Sequence, residues 1–197
     1  MTLLAAIGRR RGYFGLAAAV LVLDQASKIA ADQLLRGLGP VTVIPGFFNL
    51  WYSRNRGGLF GYFAGWPDPW RTVLLTVFPL LAVGAIVVFL AKTEEPDRRT
   101  MAGLAAILGG ATGNLIDRAL RGEVVDFLDA YVSHEGIAQW LVDRFGTAHW
   151  PTFNIADSAI VVGAGLLLLD LVLPDTSTGP VPELPAGGPA DDSRGGE

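Results

Sequence analysis

Four long apolar runs, separated by polar or aromatic segments, dominate the pattern of the chain. Each is long enough to cross ~30 Å of hydrocarbon as a helix, which takes about 20 residues. The predicted spans cover, in order, residues 13–35, 70–91, 101–121 and 154–173. The pattern therefore predicts an all-α membrane protein with four transmembrane helices.

The two longer connections predict additional structure on one side of the membrane. In residues 37–69, the β-prone runs Val41–Ile44 and Phe47–Tyr52 flank a Pro-Gly pair, which predicts a small β-sheet. The tryptophans around this region are typical of anchors at the outer membrane surface. Residues 122–153 form a second outer-face loop, and its long stretch from Val132 to Trp150 predicts a lid-like helix over a site.

The two ends of the chain are polar. Three consecutive arginines in residues 1–12 precede the first span, and the positive-inside rule then places both termini in the cytoplasm. The first apolar run is long, contains charged residues and lacks a small-x-small cleavage site, so we expect an uncleaved helix. Residues 174–197 are rich in Pro, Gly, Ser, Thr and acid, which predicts a disordered cytoplasmic tail.

Composition supports the membrane assignment and narrows the chemistry. Charged residues make up 17% of the chain, against about 25% in soluble domains. There is no basic patch interleaved with aromatics, so no nucleic-acid partner is expected. The absence of cysteine excludes disulfides, a thiol nucleophile and thiolate metal sites. His134 and His149 are interpreted as solvated loop residues, and neither a metal nor a cofactor is expected.

Two carboxylates stand beside strongly apolar segments, where an ionised group is costly and a functional role is the default interpretation. Asp126 follows Val124-Val125, and Asp157 follows Asn154-Ile155-Ala156. Neither has a basic residue within four positions. If they face each other across a few ångströms, repulsion makes them share one proton, and the pair can activate water while polarising a carbonyl. This predicts an aspartic peptidase.

More polar residues are predicted to converge at the outer ends of the first, third and fourth helices. These are Asp24, Lys28, Asn114, Asp117, Arg118 and Asn154. Asp117 has Arg118 and Arg121 nearby, which predicts a permanently ionised, structural carboxylate. Asp24 and Lys28 share a helix face, either as a mutually neutralising pair or as a pair facing the site; both interpretations stay open.

Another class of function is a small proton-coupled membrane transporter component, because intramembrane Asp and Asn also mark ion paths. Against it, the polar groups cluster at one face of the membrane. The sequence also shows no inverted repeat. We therefore keep the transporter as the alternative hypothesis.

Five motifs, in this order, resemble the lipoprotein signal peptidase (signal peptidase II) family, over about Tyr13 to Leu173. They are Asp24-Gln25-Ala26-Ser27-Lys28, Asn55-Arg56-Gly57-Gly58-Leu59-Phe60, Gly113-Asn114-Leu115-Ile116-Asp117-Arg118, Val124-Val125-Asp126-Phe127 and Phe153-Asn154-Ile155-Ala156-Asp157-Ser158. One departure is visible. Arg56 and Leu59 are bulkier than the small residues common in the second motif.

The resemblance implies a bacterial inner-membrane enzyme that removes signal peptides from prolipoproteins, cutting just before a cysteine that carries diacylglycerol. It implies that Asp126 and Asp157 are the catalytic dyad. Substrate-binding or supporting roles are implied for Asp24, Lys28, Asn55, Gly57, Asn114, Asp117, Arg118, Asn154 and Ala156. The implied partners are diacylglyceryl-cysteine prolipoproteins, membrane lipids and inhibitors of the globomycin type.

Overall fold

The computed structural model describes residues 7–8, 10–57, 63, 65–93 and 97–173. Within them the helices are α1 (Arg11–Leu34), α2 (Asp68–Lys92, with a π-helical turn at Val73–Val77), α3 (Arg98–Arg121), α4 (Glu135–Phe145) and α5 (Ile155–Val172). The strands are β1 (Val41–Ile44), β2 (Phe48–Asn55) and β3 (Val124–Ala130). The predicted tail at 174–197, residues 58–60 of the second motif and most of the N-terminal segment before residue 10 lie outside the described residues.

Helix α3 is the centre of the helical layer and packs against α1, α2 and α5. Its glycines make these contacts close. Gly109 lies against the backbone of Ala17 on α1, while Gly110 lies against the carbonyl oxygen of Ala156 on α5. Such small residues let helix backbones approach each other in a membrane. The core beside α3 is apolar and includes Leu90 and Met101.

Three of the described helices, α1, α2 and α5, are long and apolar enough to cross a membrane. Helix α3 has 24 residues but is less apolar, because glycines, polar residues and arginines fill its second half. Ten of its residues are buried, so much of its surface contacts other helices. A helix enclosed in this way does not need an apolar surface all round.

The small sheet is antiparallel with the order β1-β2-β3. Its third strand lies within residues 122–153, for which the sequence predicted a loop with a lid-like helix and no strand. β3 follows directly after Gly122, whose φ of 73° ends α3 and turns the chain into the sheet. Ser53 of β2 pairs with Asp126 of β3, so the sheet carries Asp126 back over the end of α3.

Helix α4 lies within residues 132–150, where the sequence predicted a helix. None of its residues is buried. The two ends of the loop are tied together, because the Val132 N–H donates to the Ala148 carbonyl oxygen at 3.0 Å.

Candidate active site

Asn154 joins the two carboxylates singled out from the sequence. Its side-chain Nδ2 donates to Asp126 Oδ1 at 2.7 Å. Its backbone N–H donates to Asp157 Oδ2 at 3.3 Å, while the Asp157 N–H donates to Asn154 Oδ1 at 2.9 Å. A single buried residue thus fixes both members of the predicted dyad.

The local sequence explains this arrangement. Asn154 is the N-cap of α5 and Asp157 stands at its third position, so the two form a reciprocal capping box. The start of a helix also favours a negative charge, which Asp157 supplies. The motif that predicted a catalytic residue therefore also starts the helix that holds it.

Asp126 is 1% exposed, and its surroundings favour the neutral carboxyl. Burial, followed by the charge of Asp157, raises the pKa of Asp126 to about 7, although hydrogen bonds from Asn55 and Asn154 act in the opposite direction. Asn55 Nδ2 donates to Asp126 Oδ2 at 3.1 Å, and the Gly57 N–H donates to Asn55 Oδ1 at 3.0 Å. Gly57 thereby orients the amide of Asn55 toward Asp126.

Asn114 holds Asp157 from the other side. Its Nδ2 donates to Asp157 Oδ1 at 2.8 Å. Its Oδ1 accepts from Lys28 Nζ at 2.9 Å and from Asn154 Nδ2 at 3.3 Å. The orientation of the Asn114 amide is therefore set by the lysine, and both of its polar atoms are used.

Lys28 is fully buried, and its ammonium has three acceptors. Beside Asn114, these are Asp24 Oδ2 and Asp117 Oδ2, each at 2.9 Å. Asp24 Oδ1 also accepts from the backbone N–H of Ala156 at 2.9 Å. Asp24 and Lys28 therefore form an ion pair with each other, and Lys28 also donates to Asn114, which donates to Asp157.

Asp117 and Arg118 have different partners in the structure, although the sequence analysis treated Arg118 as a charge neighbour of Asp117. Asp117 pairs with Arg121 and Lys28 and accepts the Val125 N–H at 3.3 Å, which ties α3 to β3. Arg118 does not form an ion pair with Asp117 within the described network. It interacts electrostatically with three carboxylates, most strongly with Asp157 and less strongly with Asp126 and Asp117. Its guanidinium thus supplies positive charge near the two carboxylates.

Several neighbouring contacts were not predicted. Gln25 Nε2 bridges Asp24 and the Gly113 carbonyl oxygen, at 3.0 and 3.1 Å. His149, interpreted from the sequence as a solvated loop residue, is exposed and also contacts the buried Asp129. Gln25 lies inside a recognised motif, whereas His149 and Asp129 are 20 positions apart and gave no local signal. The described residues contain no group of three or more His, Cys, Asp or Glu suited to a metal ion.

Comparison with known proteins identifies the family. The profile of Signal peptidase (SPase) II matches residues 16–173. Lipoprotein signal peptidase of Solibacter usitatus is 42% identical over 161 residues, covering 82% of this chain and 90% of the relative. Lipoprotein signal peptidase of Geobacter metallireducens is 40% identical over 152 residues, covering 77% and 85%.

Solved structures agree with the sequence comparison. A bacterial membrane enzyme determined by the in meso method at 2.3 Å resolution has a TM-score of 0.68 and 28% identity, covering 88% of this chain and 94% of that one. A second such structure at 1.9 Å has a TM-score of 0.64 and 28% identity, covering 84% and 94%. The chain therefore belongs to the signal peptidase II family, the lipoprotein signal peptidases, and is a bacterial membrane enzyme.

Proposed function

We propose that the chain is a membrane-embedded aspartic endopeptidase whose dyad is Asp126 and Asp157. It removes signal peptides from diacylglyceryl-modified prolipoproteins and cuts on the N-terminal side of the lipidated cysteine. The observation that carries this proposal is the shared contact with Asn154, which holds two carboxylates from different elements at one place. Family membership supports the substrate class.

The dyad holds one proton in its working state. Asp126 is the acid, because its raised pKa of about 7 keeps the carboxyl mostly protonated at lower pH. Asp157 is the base and takes a proton from the attacking water, while Asp126 polarises the scissile carbonyl. The C–N bond then breaks and the proton passes to the leaving amine. The products are the signal peptide carboxylate and the free amino group of the lipidated cysteine.

The remaining site residues orient the two aspartates and balance their charge. Arg118 offsets the negative charge that develops as water is deprotonated. Asn55, Asn114 and Asn154 aim amide protons at the carboxylates, with Gly57 fixing Asn55. A buried network lies behind them and consists of Asp24, Lys28, Asp117 and the backbone amide of Ala156.

The site suits a substrate that stays in the bilayer. We propose a four-helix peptidase domain over residues 13–173, in which α3 also crosses the membrane, both termini are cytoplasmic and the dyad lies near the outer face. A scissile bond next to a diacylglyceryl group then reaches the dyad without extraction of the lipid. The loop that carries α4 serves as a lid, and inhibitors of the globomycin type occupy the dyad.

The test is cleavage of a diacylglyceryl-modified prolipoprotein by the purified protein in detergent. Asp126→Asn and Asp157→Asn each remove one proton-transfer group, so we expect turnover to fall about 10²- to 10⁴-fold. Asp143→Asn is the matched control, since it makes the same change on the exposed α4. Near-normal turnover in either folded dyad variant would exclude that residue from the dyad.

A further inference from the structure

The segment that leads into Asn154 is attached to the free edge of β3. The Phe153 N–H donates to the Leu128 carbonyl oxygen at 3.0 Å, and the Leu128 N–H donates back at 2.9 Å. Further along, the Trp150 N–H donates to the Ala130 carbonyl oxygen at 2.7 Å. β3 therefore has β2 on one side and residues 149–153 on the other.

A side-chain contact reinforces this attachment. His149 Nδ1 lies 2.9 Å from Asp129 Oδ1, and Asp129 is fully buried. Asp129 Oδ2 accepts from Asn49 Nδ2 on β2 at 2.8 Å. A carboxylate only accepts hydrogen bonds, so a hydrogen bond from His149 to the Asp129 carboxylate uses the tautomer with the proton on Nδ1. The Asp129 carboxylate thus links three adjacent chain segments.

The imidazole of His149 is also held by aromatic rings. It stacks on Tyr131, with ring centroids 5.2 Å apart and an interplanar angle of 15°. The ring centroid of Trp51 lies 6.0 Å from that of His149, with an interplanar angle of 68°. The Tyr131 hydroxyl in turn accepts the Gly46 N–H at 2.8 Å, which ties it to the β1–β2 turn. Two aromatic residues therefore contact the His149 ring.

We propose that Asp129 and His149 are positioning residues for the dyad. Asp129 follows Asp126 by three residues on the same strand, and His149 precedes Asn154 by five residues on the attached segment. Their contact fixes how far that segment slides along β3. It thereby sets Asn154, and with it Asp157, relative to Asp126. This inference rests on the proposed dyad function.

The backbone hydrogen bonds of residues 150 and 153 do not involve the His149 side chain, so we expect its loss to leave the fold intact. What changes is the position of Asn154 Nδ2 relative to Asp126 Oδ1, the two atoms that form the 2.7 Å hydrogen bond. A misplacement of ~1 Å at a catalytic group costs on the order of 10²-fold in rate. His149 is the better position to vary, because its side chain is 41% exposed whereas Asp129 is a buried charge.

The test compares His149→Asn, His149→Gln and His149→Ala in the prolipoprotein cleavage assay. An asparagine amide reaches the position of Nδ1 and keeps the donor to Asp129, whereas the longer glutamine amide reaches the position of Nε2. We expect His149→Asn to stay near wild type. We expect His149→Ala and His149→Gln to lower kcat on the order of ten- to a hundredfold with KM little changed. His134→Ala is the matched control.

A pH profile separates positioning from general weakening of the fold. The Asn154 hydrogen bond lowers the pKa of Asp126, so loosening it moves the alkaline limb of kcat to higher pH. Three charged groups face Asp126, namely Asp157, Lys28 and Arg118, and all three are unchanged in the variants. We expect this shift in His149→Ala and not in His134→Ala.

Unchanged kcat in His149→Ala would overturn the positioning role. A loss of kcat with no shift of the alkaline limb of the pH profile would also overturn it. So would an equal loss of kcat in His149→Asn and His149→Gln. The dyad variants keep the two hypotheses apart. If Asp126→Asn stays active, the proposed function fails whatever His149 does. If Asp126→Asn is inactive and His149→Ala is normal, only the positioning inference fails.

Discussion

Carboxylates that are close in sequence acquire opposite properties from their individual partners. Asp126 is buried between amides, and burial raises its pKa to about 7. Glu123, three residues earlier, accepts hydrogen bonds from Arg56 and Arg54, and its pKa is lowered. Both stand just after α3 on the same short stretch. Hydrogen-bonded ion pairs with two guanidiniums favour the ionised form of Glu123, whereas burial and the charge of Asp157 leave Asp126 able to carry a proton.

The raised pKa of Asp126 predicts the pH dependence of cleavage. If Asp126 acts as the acid, kcat/KM falls as pH rises through about 7, because the carboxyl loses its proton there. In Asn55→Ala one donor that favours the charged form is removed, so the pKa rises further and the fall moves to higher pH. The measurement is kcat/KM between about pH 5 and 9, with Gln139→Ala on exposed α4 as control. A shift to lower pH would contradict the role of Asp126 as the acid.

At the scale of elements, close packing of α5 on α3 carries Asp157 to the site. Gly110 of α3 lies against the Ala156 carbonyl oxygen, and Gly103 and Gly163 approach each other further along the pair. Ala156 also donates its backbone N–H to Asp24 on α1. Three helices therefore meet within one turn of the dyad, at positions where larger side chains do not fit.

Gly110→Ala is expected to disturb both stability and activity. The new Cβ would overlap the Ala156 carbonyl oxygen, and separating the helices costs about 1–3 kcal/mol. Gly165→Ala is the matched control, because a Cβ there meets nothing within 4 Å and gains about 1 kcal/mol of helix propensity. Thermal unfolding in detergent and cleavage rates check both variants. Equal behaviour of the two would show that the α3–α5 contact does not control the site.

The sequence predicts local features well and long-range ones poorly. The observed helices Arg11–Leu34 and Ile155–Val172 lie close to the predicted runs 13–35 and 154–173, because apolar length is a local property. β3 was missed, since Asp126 and Asp129 interrupt its apolar pattern and its pairing partners on β2 are about 70 to 80 positions away. The same difference between local and long-range features holds for the contacts of the site. Asn154 and Asp157 form a local capping box, whereas the contact between Asn49 and Asp129 spans 80 positions.

At the scale of the whole molecule, the arrangement in the membrane depends on α3. The helix runs from Arg98 to Arg121 and, at ~1.5 Å per residue, reaches about 36 Å, enough for a bilayer core. Its neighbours α1, α2 and α5 enclose it and each is apolar enough to span. A polar-ended helix at the centre of such a bundle is protected from lipid, so its lower hydropathy does not argue against crossing.

If α3 crosses, the connection before it and the loop after it lie on opposite sides of the membrane. The chain has no cysteine, so Thr93→Cys and Gln139→Cys each introduce a unique label site, and the unaltered chain is the unlabelled control. With a membrane-impermeant thiol reagent, we expect Gln139→Cys to react in intact spheroplasts and Thr93→Cys only after lysis. Reaction of both in intact spheroplasts would mean that α3 does not cross. The reverse pattern would keep the crossing but invert the proposed orientation, and the dyad would then face the cytoplasm.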